Sequence, residues 1–253
     1  MATPMKNKRT QSILTHLVSV SIVLLLIVVI YNSLTLQQQY QRYSQAVTSG
    51  EMLKECHSLF QAIRHFGFER GRVNVVLNFK GPMEKIKPSI DFLRRHKTDG
   101  DRELTETLKN LGNLSRYKDI PIIVKISKAQ EEINRLRDQY EQQFLLPFDK
   151  RDTALDDLWF NTMSQQIRQV NFLIFSILQK TDWSKEQKPL AEAYYVLSQL
   201  RDHAGPVASY LKAASFNVKS LTKTRIEEIE NRKVIAEEYL NKLTFVSSEI
   251  LDK

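Results

Sequence analysis

The sequence predicts an all-α protein: an N-terminal transmembrane helix followed by an elongated helical-bundle domain of about six to seven helices. Three observations lead there. From Ile13 to Leu36 there is no Asp, Glu, Lys or Arg, and Ile22 to Ile30 is apolar throughout. Beyond that segment, apolar residues recur at spacings of three and four almost to the C-terminus, the repeat of one helix face. The 253 residues hold only seven Gly and seven Pro, with few alternating runs of β-branched residues, so strands have little support.

The apolar segment comes first. Crossing a bilayer takes about 20 apolar residues at roughly 1.5 Å each, and residues 13–36 suffice. Lys6, Lys8 and Arg9 lie in the flank 1–12. Such a basic flank stays on the cytoplasmic side, which puts residues 37–253 outside the cytoplasm. A cleaved signal peptide shares the basic start and apolar middle. The exit, however, reads Ile30-Tyr31-Asn32-Ser33-Leu34 and lacks a small-x-small cleavage site, so the segment is expected to remain as an anchor.

Composition narrows the rest. The chain carries +8, and with three charges in the flank the body 37–253 carries +5. That mild excess suits an anionic ligand or a lipid surface, or simply solubility; an exported domain has no nucleic-acid partner. About 217 residues are ample for a core. The single Cys56 cannot form an internal disulfide and reads as a small core residue. His16, His57, His65, His96 and His203 lack companions at metal-ligand spacing. There is no glycine-rich phosphate loop or nucleophile motif, so neither a cofactor nor an enzymatic role is expected.

The body's elements follow in order. A first helix continues out of the membrane from Gln37 to about Phe79, some 65 Å at about 1.5 Å per residue. Its stripe reads Leu36, Tyr40, Tyr43, Val47, Cys56, Phe60, Ile63, Gly67, Arg70, Asn74 and Leu77, and Gly81-Pro82 ends it. Two short helices are then expected, one from Pro88 with Ile90 and Leu93, one after Thr98-Asp99-Gly100-Asp101 with Leu104, Leu108 and Leu111. Between them Arg94-Arg95-His96-Lys97 reads as a solvated helix-end cluster complementing the dipole. A loop from Gly112 to Pro121 precedes Ile122, Ile126, Ala129, Ile133, Leu136, Tyr140 and Phe144, a helix with a charged outer face stopped by Pro147. Thr153 and Asp156 have capping-box spacing ahead of a helix bearing Leu155, Leu158, Trp159, Met163, Ile167, Val170, Ile174 and Ile177. After a break at 181–189, the spacing runs from Leu190 through Leu197, Leu200, Ala204, Leu211 and Val218 to Leu221. A last helix, from Thr222 to about Leu251, carries Ile226, Ile229, Ala236, Leu240, Leu243 and Ile250. Long helices of near-heptad period pack as bundles at small crossing angles.

Arg70 is the first candidate for function. It lies on the apolar stripe of Ile63, Phe66, Val73 and Leu77, and an unpaired buried guanidinium is very costly. Either a bound anion satisfies it, or an internal carboxylate does, or the side chain snorkels. Gly67 and Gly71 lie one turn apart beside it, each costing up to about 1 kcal/mol in a helix; they make room for a ligand or for a close neighbour. Asn74 continues the same face, whereas Glu69 and Arg72 fall on the expected solvated side. A second constellation holds Arg201, His203, Gly205 and Pro206. Pro206 sits inside a helical pattern, removes a donor and frees the carbonyl of Asp202, a kink that can open a cavity. Arg64-His65-Phe66-Gly67 is weakly echoed by Arg201-Asp202-His203-Ala204-Gly205.

Phe68-Glu69-Arg70-Gly71 resembles the Glu-Arg-Gly signature in the first helix of the nitrate- and nitrite-sensing (NIT) domains of bacterial receptors. Leu158-Trp159-Phe160-Asn161-Thr162-Met163 is similar to that family's tryptophan-bearing middle helix, and Leu200-Arg201-Asp202-His203-Ala204-Gly205 to its later helix. The three stretches come in the family's order over about residues 40 to 250. The helical bimodular chemoreceptor sensors are a related type. The resemblance implies a periplasmic helical sensor of the bacterial inner membrane, which the one apolar segment of this sequence would tether by a single pass. Two long helices would form its cleft and arginines would bind the anion, nitrate or nitrite in the family, or a small carboxylate. Arg70 maps onto the signature and Arg201 loosely onto the later helix; Pro206 departs from the pattern. The resemblance also implies a cytoplasmic signalling module in a longer chain. The heptad-like first helix would suit a parallel homodimer. The rival reading is a membrane-tethered interaction or scaffold protein, which needs an exposed apolar patch where a sensor needs an internal polar cavity.

Overall fold

The computed structural model describes residues 6–117, 120–152, 154–215 and 221–251. Among them are six α-helices, a single 3-10 turn and no strand, the all-α class the periodicity predicts. The helices are α1 (Lys6–Leu77), α2 (Met83–Gly112), α3 (Pro121–Phe144), α4 (Ala154–Lys180), α5 (Lys188–Ser215) and α6 (Lys223–Leu251). The chain divides into two compact units, one up to Thr48 and one from Ser49 onward.

The first unit is helical and turned inside out. Ile22, Leu25, Ile27 and Ile30 are each more than half exposed, and the most apolar window of this helix has a mean hydropathy of 2.3 with none of it buried. A helix so apolar on every side is long enough to cross a membrane. Its hydroxyls are satisfied internally: Ser33 Oγ donates to Val29 O at 2.8 Å and Thr35 Oγ1 to Tyr31 O at 2.9 Å, which spares unpaired polar groups in hydrocarbon. Leu36, Tyr40 and Tyr43 are also exposed, and burial in the second unit begins with Ser49 and Met52.

In that second unit the Ser49–Leu77 part of α1 is buried on more than one side. Met52, Cys56, Leu59, Ile63, Phe66 and Val73 join the core. Burial, reinforced by neighbouring Glu55, pushes the Cys56 thiol up to about 12, so it stays an inert core group. Helix α4 supplies the centre: Trp159 is fully buried, with its ring edge-on to Tyr140 at 4.9 Å. Arg151 closes the end of α1. Its Nη1 donates to the carbonyls of Val76, Leu77 and Phe79 at 2.9, 3.2 and 3.0 Å, taking acceptors that a helix end leaves open.

Two of the expected short helices are one. Helix α2 runs without interruption from Met83 to Gly112 and contains Pro88 and Gly100. Gly100 is not a break but a point of approach. A Cβ there would stand 2.9 Å from Phe66 Cε1 and 3.0 Å from His65 Cβ, so the missing side chain lets α2 lie close on α1. Consequently Arg94 to Lys97 sit mid-helix rather than at an end, and His96 is buried.

Caps follow local chemistry. Pro121 opens α3 at its first turn, where a missing N–H costs nothing. Asp152 Oδ1 accepts from Ala154 N at 2.9 Å ahead of α4; Thr153 of the expected capping box lies outside the described residues. Thr222 Oγ1 accepts from Arg225 N at 3.3 Å at the start of α6. Val218, placed by periodicity on α5, is also outside the described residues.

A buried ionic knot joins three helices. Arg137 of α3 donates through Nε and Nη2 to Glu69 of α1 at 2.8 and 2.7 Å, and through Nη1 to both oxygens of Asp101 of α2 at 2.9 and 2.7 Å. Tyr140 OH donates to Glu69 Oε1 at 2.9 Å. Burial and then Glu69 push the Tyr140 hydroxyl's pKa up. Burial alone would lower that of Arg137, but Glu69 and Asp101 together raise it. Glu69 therefore does not belong to the solvated face that its position off the stripe suggests; it is fully buried because its cation comes from another helix.

Candidate functional site

A cavity of about 740 Å³ lies between α1, α5 and the middle of α2. Its floor is made of small residues: Gly67 and Gly71 on α1 and Gly205 on α5. They allow close approach. Cβ atoms built at these three positions would lie 3.4 Å from Arg201 Nε, 2.7 Å from Ser209 Oγ and 3.0 Å from Arg70 Nη2, respectively. Walls are apolar, with Phe60, Phe68 and Phe92 on one side and Leu197 and Leu200 on the other. Among the described residues two charged side chains line it, Arg72 and Arg201, and no carboxylate does.

Arg201 is the distinctive group. Its guanidinium lies over the Phe68 ring at 4.5 Å, and Nη2 donates to the Arg64 carbonyl at 3.0 Å. Nε is buried without a hydrogen-bond partner, and no carboxylate lies within ion-pair distance of the side chain among the described residues. Burial pushes its pKa down to about 10, and the like charges of Arg64 and Arg70 act in the same direction. A guanidinium in this position lacks a counter-charge, and guanidinium forks take carboxylate and other oxyanions. Arg72 is held in the same way, over Phe92 at 4.7 Å and donating to Ser89 Oγ at 3.4 Å, with no carboxylate within ion-pair distance among the described residues.

Arg70 is fully buried just below the Gly205 floor. Its Nη1 donates to Ser164 Oγ at 2.9 Å and to Asp202 Oδ1 at 3.4 Å, and its guanidinium lies 5.2 Å from the Phe160 ring centre. Of the alternatives open for Arg70, the structure supplies the internal carboxylate. Burial still outweighs Asp202 and brings the Arg70 pKa down to about 10, and its Nε has no partner.

Asn74 is buried one turn further along α1 and outside the cavity lining. It accepts through O and Oδ1 from Asn78 Nδ2 at 3.0 Å, and the same Nδ2 reaches Asp156 Oδ2 at 3.1 Å. His203 also stands apart, stacked on Tyr239 of α6 with ring centres 5.9 Å apart. Gly67, Gly71 and Arg201 thus converge, Arg70 supports them from below, and Asn74 and His203 lie elsewhere. The two echoing segments at Arg64 and Arg201 face each other across this junction. Pro206 leaves the Asp202 carbonyl without its helical donor, and Arg232 Nη1 of α6 reaches that oxygen at 3.5 Å. Phe92 had no signal in the sequence, because its packing against α1 is a contact between helices that the Ile90 and Leu93 spacing does not record.

Behind Phe92 lies a histidine pair, His65 and His96, whose Nδ1 atoms are 2.6 Å apart. One ring must donate and the other accept, so both cannot carry a second proton there. Burial lowers the pKa of both, that of His96 to about 4, with His65, Arg64 and Arg95 adding and Asp99 opposing. A histidine with a depressed folded pKa costs stability once the unfolded chain begins to take up protons near its ordinary value of about 6.5. Stability, followed as a urea midpoint, is expected to fall progressively from pH 6.5 towards 4. The fall should be shallower in His96→Phe.

Among the described residues no group of three or more His, Cys, Asp or Glu is placed to hold a metal ion. Comparison with known proteins finds no matching family model, no matching curated protein and no matching solved structure. The cavity's own chemistry therefore carries the functional reading.

Proposed function

We propose that this chain is the ligand-sensing part of a bacterial membrane signal-transduction receptor, anchored by residues 13–36, with its body in the periplasm and a small anion bound in the cavity. One observation carries the reading: among the described residues, Arg201 has no carboxylate partner and lies in the wall of a cavity lined by two arginines and no acid. The basic flank at Lys6, Lys8 and Arg9 supports a cytoplasmic N-terminus, and the three NIT-like motifs support the same class. Their Glu-Arg-Gly arginine, Arg70, lies against Gly205 and is paired with Asp202, while Arg201 takes the anion. An anion drawn between α1 and α5 favours one packing of these helices over another, a population shift between two states. Helix α1 runs from Lys6 to Leu77 and so carries that shift towards the anchor. A parallel homodimer and a cytoplasmic module in a longer chain complete the receptor arrangement.

The test is calorimetry of the full chain in lipid nanodiscs against a panel of nitrate, nitrite, acetate and larger carboxylates. At least one member is expected to bind, and Arg201→Gln to weaken it by tenfold or more, about 1.4 kcal/mol. If no member of the panel binds, the sensing role is lost. The rival role, a tethered scaffold, draws on Val234, Leu240 and Phe245 of α6, all more than half exposed. It would gain if Phe245→Ser abolished self-association or partner capture while anions remained without effect.

A further inference from the structure

We infer that the ligand is an organic anion with a flat apolar body, an arene carboxylate in chemical class, and not an inorganic oxyanion. This rests on the anion-sensing reading and narrows it. Size comes first. Nitrate has four atoms, whereas about 740 Å³ falls within the roughly 300–1,000 Å³ typical of sites for drug-sized organic molecules. A four-atom guest would leave most of that space to water against Phe60, Phe68, Phe92, Leu197 and Leu200.

Charge comes second. Arg201 and Arg72 both line the cavity with neutral partners only and no carboxylate within ion-pair distance among the described residues, whereas Arg70 is paired with Asp202. Two guanidiniums without an acid favour an anionic guest. With no acid among the described residues that line the cavity, none of them would receive an ammonium group, so α-amino acids are disfavoured. An unpaired buried ammonium is costly.

Shape comes third. The glycines are covered by Arg201, Ser209 and Arg70, and the Phe68 and Phe92 rings by Arg201 and Arg72, which leaves Phe60, Leu197 and Leu200 as the apolar lining. A planar ring can pack against Phe60 in offset or edge-on geometry. Gly67 borders Arg201 Nε closely enough that a Cβ would sit 3.4 Å from it. Nε itself is enclosed against Gly67, so a carboxylate on the ring's end meets Arg201 at its terminal nitrogens.

Calorimetry of the full chain in nanodiscs tests this with benzoate, nitrate, benzamide and phenylalanine. Benzoate is expected to bind at least tenfold more tightly than nitrate, with benzamide and phenylalanine silent. Arg201→Gln should weaken benzoate tenfold or more. Ala204→Trp, at an exposed position of the cavity rim, should block it with the helical circular dichroism unchanged. Nitrate binding as tightly as benzoate overturns the arene assignment and leaves anion sensing standing. Benzamide binding as well as benzoate overturns both, as does silence from every probe. Benzoate binding untouched by both variants places the ligand elsewhere and also overturns the proposal.

Discussion

Arg137→Met is expected to remove about 3–5 kcal/mol of stability, the usual effect of stripping one partner from a buried ion pair. Glu69 is fully buried and has no other cation within ion-pair distance among the described residues, so the variant strands a desolvated carboxylate between α1 and α3. Asp101 suffers less, because its side chain keeps 30% exposure and can be hydrated. The double variant Glu69→Leu with Arg137→Met is expected to recover most of the loss, since well-packed apolar pairs often replace buried ion pairs at little cost. Tyr140, which donates to Glu69, would keep a residual penalty of about 1–3 kcal/mol for its stranded hydroxyl. Urea unfolding of the full chain in detergent gives both numbers. A single-variant loss below about 1 kcal/mol would show that the knot does not hold the three helices together.

The second large effect is expected from Arg70→Met, a loss of about 3 kcal/mol for the same reason: Asp202, with a side chain only 6% exposed, loses its ion-pair partner. Asp202→Asn in the Arg70→Met background should restore much of it by removing the charge. Arg201→Gln offers a contrast in the same unfolding experiment. Arg201 has like charges nearby and no carboxylate, so its removal is expected to leave stability within about 0.5 kcal/mol of the parent, or to raise it, while anion binding is lost. A chain that loses comparable stability from both substitutions would show that Arg201 is held structurally, like Arg70.

These two arginines also mark the limit of what sequence reading reached. Period and punctuation located the helices, because a helix start such as Pro121 and a stripe such as Ile126-Ile133-Tyr140 are local features. Arg70 stood out because it interrupts an apolar stripe within its own helix. What decided its environment is not local. Asp202 and Ser164 lie on two other helices, and no pattern within α1 announces them. Glu69 was assigned to solvent for the same reason, since its partner is 68 positions away in Arg137. Gly100 misled in a different way. Glycine in a helical pattern weakens a helix, which reads as a boundary, but here it records the contact with Phe66, and contacts between helices leave no mark on periodicity. Of the cavity, the glycine floor and Arg201 were visible, whereas the aromatic wall from Phe92 is a contact between helices that spacing does not record.

Pro206 has one more effect on the chain's mechanics. Where a helix lacks a rung of its backbone ladder, bending there stretches nothing that was bonded, so flexure concentrates at that height. In α5 the gap spans Asp202 to Pro206, the same turn that carries the Arg70 contact and borders the cavity floor. The upper and lower halves of α5 are therefore joined by a compliant coupling whose stiffness is set from outside, by the long reach of Arg232 to the orphaned carbonyl.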